Sequence, residues 1–214
     1  SIVMNSYKLT GLAAGSANGD SVRYEQLTAI DKLTTKGDLL LHTGSIYARQ
    51  GVGSNGQIIV SDSAQTNGLK WRGFLGCRVT HNVGQSIPNN TWTAMAFNSE
   101  TFDTDTMHDT VTNNSRITVN TAGYWLFVTI QRWNNPAAGT AKYVDLRLNG
   151  TTYIGETAAT AEGGYFTHQT FAIYNCAVND YVETIVYQNT GGALNMQGND
   201  DAAHMGFYAV WLGV

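Results

Sequence analysis

The chain has 214 residues, of which 43% are hydrophobic and only 13% are charged, so it can build a core and does not have the composition of a disordered protein. Residues 1–73 hold seven basic and five acidic side chains, a net of +2, whereas residues 74–214 hold five and eleven, a net of −6. The acidic C-terminal part argues against binding nucleic acid by neutralising phosphates. No run of 18 apolar residues occurs, which argues against insertion in a membrane.

Residues 1–33 are predicted to form an attachment or shaft segment that contains one short helix. The helix is expected over residues 20–33, where Asp20 or Ser21 can cap its N-terminus. A narrow apolar stripe follows at Val22, Leu27, Ile30 and Leu33. Because so short a helix is marginal alone in water, the stripe needs a partner, which identical copies of the chain would provide.

Residues 34–74 are predicted to form a thin β-rich stem. Turn residues separate four short strands, which are expected at Asp38–His42, Ser45–Gln50, Gln57–Ser61 and Leu69–Arg72. Each strand has only two or three apolar residues, so we expect the segment to be unstable as a monomer. Three copies wrapped together could bury these apolar positions along an axis.

Residues 75–214 are predicted to form an all-β head of eight to ten antiparallel strands, arranged as a closed or two-sheet sandwich. The clearest strands are expected at Thr91–Phe97, Arg116–Val119, Tyr124–Trp133, Tyr143–Leu148, Thr151–Ala158, Gly164–Ala177, Tyr181–Gln188, Ala193–Gln197 and His204–Leu212. Asn149-Gly150 is typical of a hairpin turn. Many strands carry apolar residues on both faces, and we therefore expect some second faces to meet another subunit.

The two cysteines, Cys77 and Cys176, lie far apart in the sequence and match no zinc motif. They could pair if two strands bring them together. The alternative is two buried thiols in a reducing compartment.

A candidate metal site lies in the acidic, turn-rich stretch that contains Asp103, Asp105 and Asp109. Oxygen ligands at alternating positions suit calcium, although the EF-hand pattern is not present. The alternative is a solvated acidic loop. His108 beside Asp109, and His204 near Asp201, are each a possible part of a metal site or an acid–base pair. Neither cluster supplies three convergent ligands.

The aromatic residues divide into structural and candidate receptor-binding groups. Those within strands are expected in the core or in a subunit interface: Trp92, Tyr124, Trp125, Phe127, Phe207, Tyr208 and Trp211. Trp133, Tyr153 and Tyr165 lie at strand ends or among Gly and Asn residues, where an exposed ring could stack on a sugar. No nucleophile elbow, P-loop or H-E-x-x-H motif occurs, and no carboxylate pair can be assigned to glycoside cleavage, so we expect no enzymatic activity.

The head resembles the jelly-roll heads of the complement C1q and tumour necrosis factor superfamily. The resemblance rests on FNSETFDTD at 97–105, SRITVNTAGYWLFV at 115–128, the Asn179–Val182 turn and the closing GFYAVWLGV at 206–214. It implies a jelly roll that trimerises, with the final aromatic strand in the trimer core. Some heads of this family bind calcium.

The N-terminal part resembles shaft and linker modules of bacteriophage tail and virion fibres. The residues that carry this resemblance are MNSYKLTGLAAGSANGDSVRYEQL at 4–27 and LTTKGDLLLHTGSIYARQGVGSNGQIIVSDSAQTNGLKW at 33–71. Only one copy of each module is present, so the chain could be a short spike or the tip of a longer fibre.

Together the two resemblances imply a non-enzymatic, homotrimeric protein of a phage particle. We expect the stem to attach to other virion proteins and the head to bind a glycan or protein on the host surface. The first alternative is a head- or collar-decoration or cement fibre without a dedicated receptor. A cellular C1q-like lectin is a further alternative, which the fibre-like stem disfavours.

Overall fold

A computed structural model describes residues 32–134, 141–160, 164–198 and 205–214. The chain divides into two compact units, Ser1–Gly73 and Phe74–Val214, called here the stem unit and the head. This division lies one residue from the boundary expected between residues 74 and 75. The helix predicted over residues 20–33 lies outside the described residues except for its last two, which are not helical.

The stem unit contains two separate hairpins in its described part. Strand β1 (Leu39–His42) pairs with β2 (Tyr47–Gln50), and β3 (Ile58–Ser61) pairs with β4 (Leu69–Arg72). All four strands fall within the ranges predicted from the sequence. No residue between 32 and 73 is buried, so these hairpins have no hydrophobic core of their own.

The head consists of strands and turns throughout its described residues. Eight strands have five or more residues and four have only two or three, against the eight to ten predicted. In chain order they are β5 (Gly76–Thr80), β6 (Gln85–Ile87), β7 (Thr93–Ala94), β8 (Ser99–Asp103), β9 (Arg116–Thr118), β10 (Gly123–Trp133), β11 (Ala141–Leu148), β12 (Thr152–Thr160), β13 (Phe166–Cys176), β14 (Tyr181–Gln188), β15 (Leu194–Met196) and β16 (Gly206–Gly213). No helix long and apolar enough to cross a membrane occurs among the described residues.

These strands form two antiparallel sheets. In the seven-stranded sheet, β10 pairs along its whole length with β13 on one side, and with β16 and then β15 on the other. Beyond β16 lie β5 and β8, and beyond β15 lies β6. The five-stranded sheet has the order β12-β11-β14, and both β7 and β9 pair with β14. The two sheets enclose one core, as predicted for a jelly-roll sandwich.

The period-two alternation of β10 determines which of its side chains enter the core. Trp125, Phe127 and Trp133 are fully buried, and Thr129 and Gln131 are buried on the same face. Side chains of alternate strand residues point to opposite faces, so the intervening apolar residues lie on the outside of the sheet. The sequence predicted this alternation correctly.

Two turns depend on residues that tolerate positive φ. Asn149 and Gly150 both have positive φ, 50° and 73°, and join β11 to β12 as predicted. At the start of β10, Gly123 has φ 132°, and a Cβ there would collide with the carbonyl oxygen of Gly213. Glycine at this position therefore lets the end of β16 approach the start of β10 closely.

Two features of the head differ from the prediction, and the cysteines agree with one of its two alternatives. Strands β5, β6 and β8 were not predicted, because their residues are too polar or too mixed to show a clear alternation. The strand expected over Thr91–Phe97 is reduced to β7, since only Thr93 and Ala94 pair with β14. Both cysteines are buried free thiols, which confirms the second of the two interpretations. Burial, and to a smaller extent Asp180, raises the pKa of Cys176 to about 11, so that thiol is unreactive at neutral pH.

Candidate binding surfaces

The outer side of the seven-stranded sheet carries a continuous patch of apolar side chains, called here the apolar face. It is built across three strands, because Leu126 of β10 lies opposite Ile173 of β13 and Val210 of β16. One step further along, Val128 lies opposite Phe171 and Tyr208. The residues of the apolar face are Leu126, Val128, Phe171, Ile173, Tyr208 and Val210.

Two side chains of the apolar face are far more exposed than apolar groups usually are. Phe171 is 72% exposed and Ile173 is 62% exposed. Single exposed apolar residues are ordinary, but a contiguous patch on a sheet indicates an interaction surface.

Of the three aspartates predicted to bind calcium, Asp103 and Asp109 accept hydrogen bonds from the local backbone, whereas Asp105 accepts one from the Thr121 hydroxyl at 3.2 Å. The Asp103 carboxylate accepts hydrogen bonds from the backbone N–H groups of Asp105, Met107 and His108, at 3.0, 2.6 and 2.9 Å. One Asp109 oxygen accepts from two further backbone N–H groups at 2.8 Å, and these bonds lower the pKa of that carboxyl. The aspartates therefore hold the loop between β8 and β9 in place.

No group of three His, Cys, Asp or Glu side chains in the described ranges is arranged to hold a metal ion. His108 is also engaged in this loop, since its Nδ1 lies 2.8 Å from Glu100 Oε1 and its Nε2 lies 3.2 Å from the Asn114 carbonyl oxygen. His204 lies outside the described residues. Calcium binding by Asp103, Asp105 and Asp109 stays a prediction, for which calorimetric titration of the chain with calcium is the direct test.

Trp133, which the sequence offered for receptor contact, has a fully buried indole, so this ring is not exposed to stack on a sugar. Its Nε1 donates a hydrogen bond of 3.1 Å to Nδ1 of His168, which is also buried. Burial, and then the nearby Lys142, lowers the pKa of His168 to about 4, so the imidazole is neutral at neutral pH and can accept this bond. Trp133 is therefore a core residue.

Tyr153 and Tyr165 are both exposed, but they lie in different surroundings. Tyr165 is 62% exposed, and the guanidinium of Arg132 lies over its ring at 4.3 Å. Tyr153 is 51% exposed and packs against Trp92, with ring centroids 6.0 Å apart. The two tyrosines thus have different neighbours, and Tyr153 belongs to a larger group of aromatic rings.

That group, called here the aromatic cluster, lies on the outer side of the five-stranded sheet. The Trp92 ring contacts Tyr143 of β11 at 5.6 Å, Tyr187 of β14 at 5.0 Å and Tyr153 of β12 at 6.0 Å between centroids. Tyr143 and Tyr187 also contact each other. Trp92 is 42% exposed, so it does not lie in the core, and its expected place in a subunit interface stays a prediction.

Asp145 lies beneath the aromatic cluster. It is on the outward face of β11 together with Tyr143 and Arg147, and Arg147 pairs with Tyr153 in the register of β12. Trp92 contacts Tyr143 at one position of β11 and Tyr153 opposite Arg147, and Asp145 lies on the same face between these two positions. This position explains why an outward-facing aspartate has no exposed surface.

The carboxylate of Asp145 has no hydrogen-bond partner for either oxygen. Its nearest acidic neighbour across the strands is Glu156, which is directly opposite in the register. Burial, and then the charge of Glu156, raises the pKa of Asp145 to about 7. A buried carboxylate without a partner is rare in folded proteins and marks a candidate functional site.

Asp145 and Trp92 were missed as site residues from the sequence. The alternation Tyr143, Asp145, Arg147 does place three polar or aromatic side chains on one face of β11. The cover that Trp92 forms depends on the pairing of β7 with β14, which brings together residues about 90 positions apart.

Comparison with known proteins supports the fold of the head. No protein-family model matches the sequence, and no curated protein matches it. The globular domain of zebrafish complement 1qA protein is similar in structure, with 11% identity, a TM-score of 0.46 and coverage of 64% of this chain and 97% of that one. Murine APRIL at pH 8.0 is also similar, with 8% identity, a TM-score of 0.50 and coverage of 65% and 99%.

The head therefore has a C1q/TNF-like jelly-roll fold. This conclusion rests on the two antiparallel sheets described above and on the likeness to APRIL over nearly all of that domain. At such low identity the likeness concerns the fold alone, and function must be argued from the surfaces of this chain.

Proposed function

We propose that the chain is the subunit of a non-enzymatic, homotrimeric fibre or spike of a bacteriophage particle, whose head binds the host surface. The apolar face is the single observation that carries the assembly. A second copy of the chain is the natural partner for it, because a closed homo-oligomer buries the same patch on every subunit. The final strand β16 contributes Tyr208 and Val210 to this face, as the family resemblance implies.

The stem unit supports the same assembly from independent residues. Its described part has no buried residue, and apolar side chains such as Ile46, Val52 and Ile58 are about half exposed or more. Hairpins of this kind are only marginally stable alone. Packing three stems together would bury these side chains, as the sequence pattern indicates.

The placement on a phage particle rests on the fibre-like segments at 4–27 and 33–71. In this proposal the N-terminal residues join the chain to other virion proteins, and the head points outward. Three heads in each spike, and several spikes on each particle, would bind avidly even if each contact were weak. The receptor is a glycan or protein of the host surface.

Two experiments test this proposal. Labelled full-length chain is expected to bind cells of a susceptible strain and not of a resistant one, and failure to bind any susceptible strain would contradict adhesion. Electron microscopy of particles carrying an antibody to the head is expected to place it on a projecting fibre. A position flat on the capsid would favour the decoration alternative. Release of labelled sugar from host polysaccharide would contradict the non-enzymatic part.

A further inference from the structure

We propose that the aromatic cluster, together with Asp145 and Glu156, is a binding site for an organic ammonium group. The ligand chemistry is a positively charged nitrogen on a carbon skeleton, as in an amino sugar or in choline. This inference deepens the adhesion proposed above, because it names the chemistry of the receptor. It stands on the geometry of one sheet surface and not on the assembly of the chain.

The first step is the missing partner of the Asp145 carboxylate. A buried polar group without a hydrogen bond is costly, and a buried charge without compensation costs more. The strands that pack around Asp145 supply no donor to it, since both oxygens are without a partner. A cation held above the cluster would supply the compensation that the folded chain lacks.

The second step is the balance of charge on this surface. The acidic Glu183 of β14 is already neutralised, because Arg116 and Arg147 each lie 3.5 Å from it. None of the salt bridges found in the described part involves Asp145 or Glu156. Asp145 and Glu156 are therefore carboxylates without an ion-pair partner in the described residues, and Glu156 is exposed to solvent.

The third step is the arrangement of the rings. The face of an aromatic ring attracts a cation, most strongly for tryptophan, and several rings set at angles form a cage. The Trp92 ring is tilted by 54° to Tyr143 and by 62° to Tyr153, so the rings do not form one flat platform. Trp92 and Tyr153 are accessible from solvent, whereas Asp145 is covered and acts on a ligand through its charge.

The acidic pair distinguishes this site from one for a neutral sugar. A neutral sugar could stack on Trp92, but it would leave both carboxylates uncompensated. An ammonium group satisfies the rings and the carboxylates together. Because the pKa of Asp145 is raised to about 7, the site is more negative at pH 8.5 than at pH 5.5, and binding of choline, whose charge does not depend on pH, is expected to tighten over that range.

The test is a titration of the full-length chain, followed by tryptophan fluorescence and by calorimetry at constant ionic strength. The probes are glucosamine oligosaccharide, choline chloride and, as the neutral control, N-acetylglucosamine oligosaccharide. Choline at pH 8, or glucosamine oligosaccharide at pH 6, where its amino groups are protonated, is expected to bind at least about tenfold more tightly than the neutral control at the same pH. Equal binding of charged and neutral probes, or no binding of either ammonium probe, would overturn the inference.

Variants connect the binding to the site. Trp92→Ala and Asp145→Asn are each expected to weaken ammonium binding about tenfold or more, and the second should also remove its pH dependence. Trp92→Phe, which retains a ring, is expected to keep part of the affinity. Tyr165→Ala removes an exposed ring elsewhere on the head and is the matched control, with no change expected. Circular dichroism shows whether each variant is folded, and unchanged affinity in a folded Trp92→Ala variant would refute the site.

The two ammonium probes separate the two sources of the ligand. Binding of glucosamine oligosaccharide alone identifies an amino sugar, and binding of choline alone identifies a choline-bearing surface polymer. The inference and the adhesion proposal can also fail separately. If the Trp92→Ala variant binds cells as well as the wild type does, this site is not the receptor site, but the proposal that the head binds the host surface is unaffected. If the soluble probes bind but no cells do, adhesion fails and the site stands.

Discussion

Replacing Asp145 by asparagine should make the head more stable at alkaline pH and leave its stability almost unchanged in acid. The change keeps the shape of the side chain but removes the charge that lies without a partner beneath Trp92. Well below pH 3.8 the aspartate is protonated in both the folded and the unfolded chain. Both proteins then carry a neutral group at this position, and their stabilities should be similar.

The size of the effect follows from the pKa of Asp145, which burial and Glu156 raise from 3.8 to about 7. Between these values the folded chain keeps a proton that the unfolded chain has released, so stability falls as pH rises. A pKa difference of that size corresponds to about 4 kcal/mol in the free energy of unfolding, and this stabilisation is fully lost above pH 7. The Asp145→Asn variant should not show this loss, although its buried amide retains part of the cost of an unpaired polar group.

Urea unfolding of both proteins at one protein concentration, from pH 4.5 to 8.5, measures this difference. The histidines that titrate in the same range are present in both proteins, so their contributions cancel in the comparison. Replacing the exposed Glu156 by glutamine should give a smaller change of the same sign, because its charge is the lesser cause of the raised pKa. If the free energies of unfolding of wild type and Asp145→Asn differ by the same amount at every pH, the pKa of Asp145 is not raised in the folded chain.

Three further substitutions test the surfaces and the core. Phe171→Glu should lower the mass of the assembly in solution, measured by light scattering, because it places a charge on the apolar face. Trp133→Ala should cost about 3–5 kcal/mol in urea unfolding, as expected for a fully buried aromatic side chain. Gly123→Ala should cost about 2 kcal/mol or more, measured in the same way, since the position has positive φ and the new Cβ would meet Gly213.

Each of these substitutions has a matched control in the chain. Tyr165→Glu places the same charge at an exposed ring outside the apolar face, and the mass should not change. Tyr153→Ala removes an exposed aromatic side chain and should cost less than about 1 kcal/mol. Gly191→Ala also has a positive φ, of 91°, but no neighbour within 4 Å, so it shows a backbone cost without a steric collision. Equal effects of a substitution and its control would contradict the corresponding reasoning.

Much of the fold could be predicted because local patterns determine it. The alternation along β10, the strand at β14, the Asn149-Gly150 turn and the four stem strands all depend on residues close together in sequence. Strand β8 could not be found in this way, because its residues Ser99–Asp103 are polar and it lies at the edge of the sheet. Its place depends on pairing with β5, about 25 residues away.

The candidate site also depends on strands that are distant in sequence, and local patterns predict it less well. The exposed aromatic Tyr153 was selected from the sequence because it follows a hairpin turn, and it does lie on the surface. Trp133 was selected for a similar reason, yet β10 continues to that residue and its even alternation places the indole in the core. The burial of Asp145 arises only when β7, β11, β12 and β14 are assembled, so no single stretch of sequence indicates it.

The native mass of the full-length chain tests the central claim most directly. Sedimentation equilibrium or native mass spectrometry at micromolar concentration should give about 70 kDa, which is three times the 23.2 kDa of one chain. That result would mean that the apolar face and the exposed apolar residues of the stem are covered by other copies. A stable species of 23.2 kDa, with Phe171 and Ile173 open to solvent, would contradict the trimeric fibre.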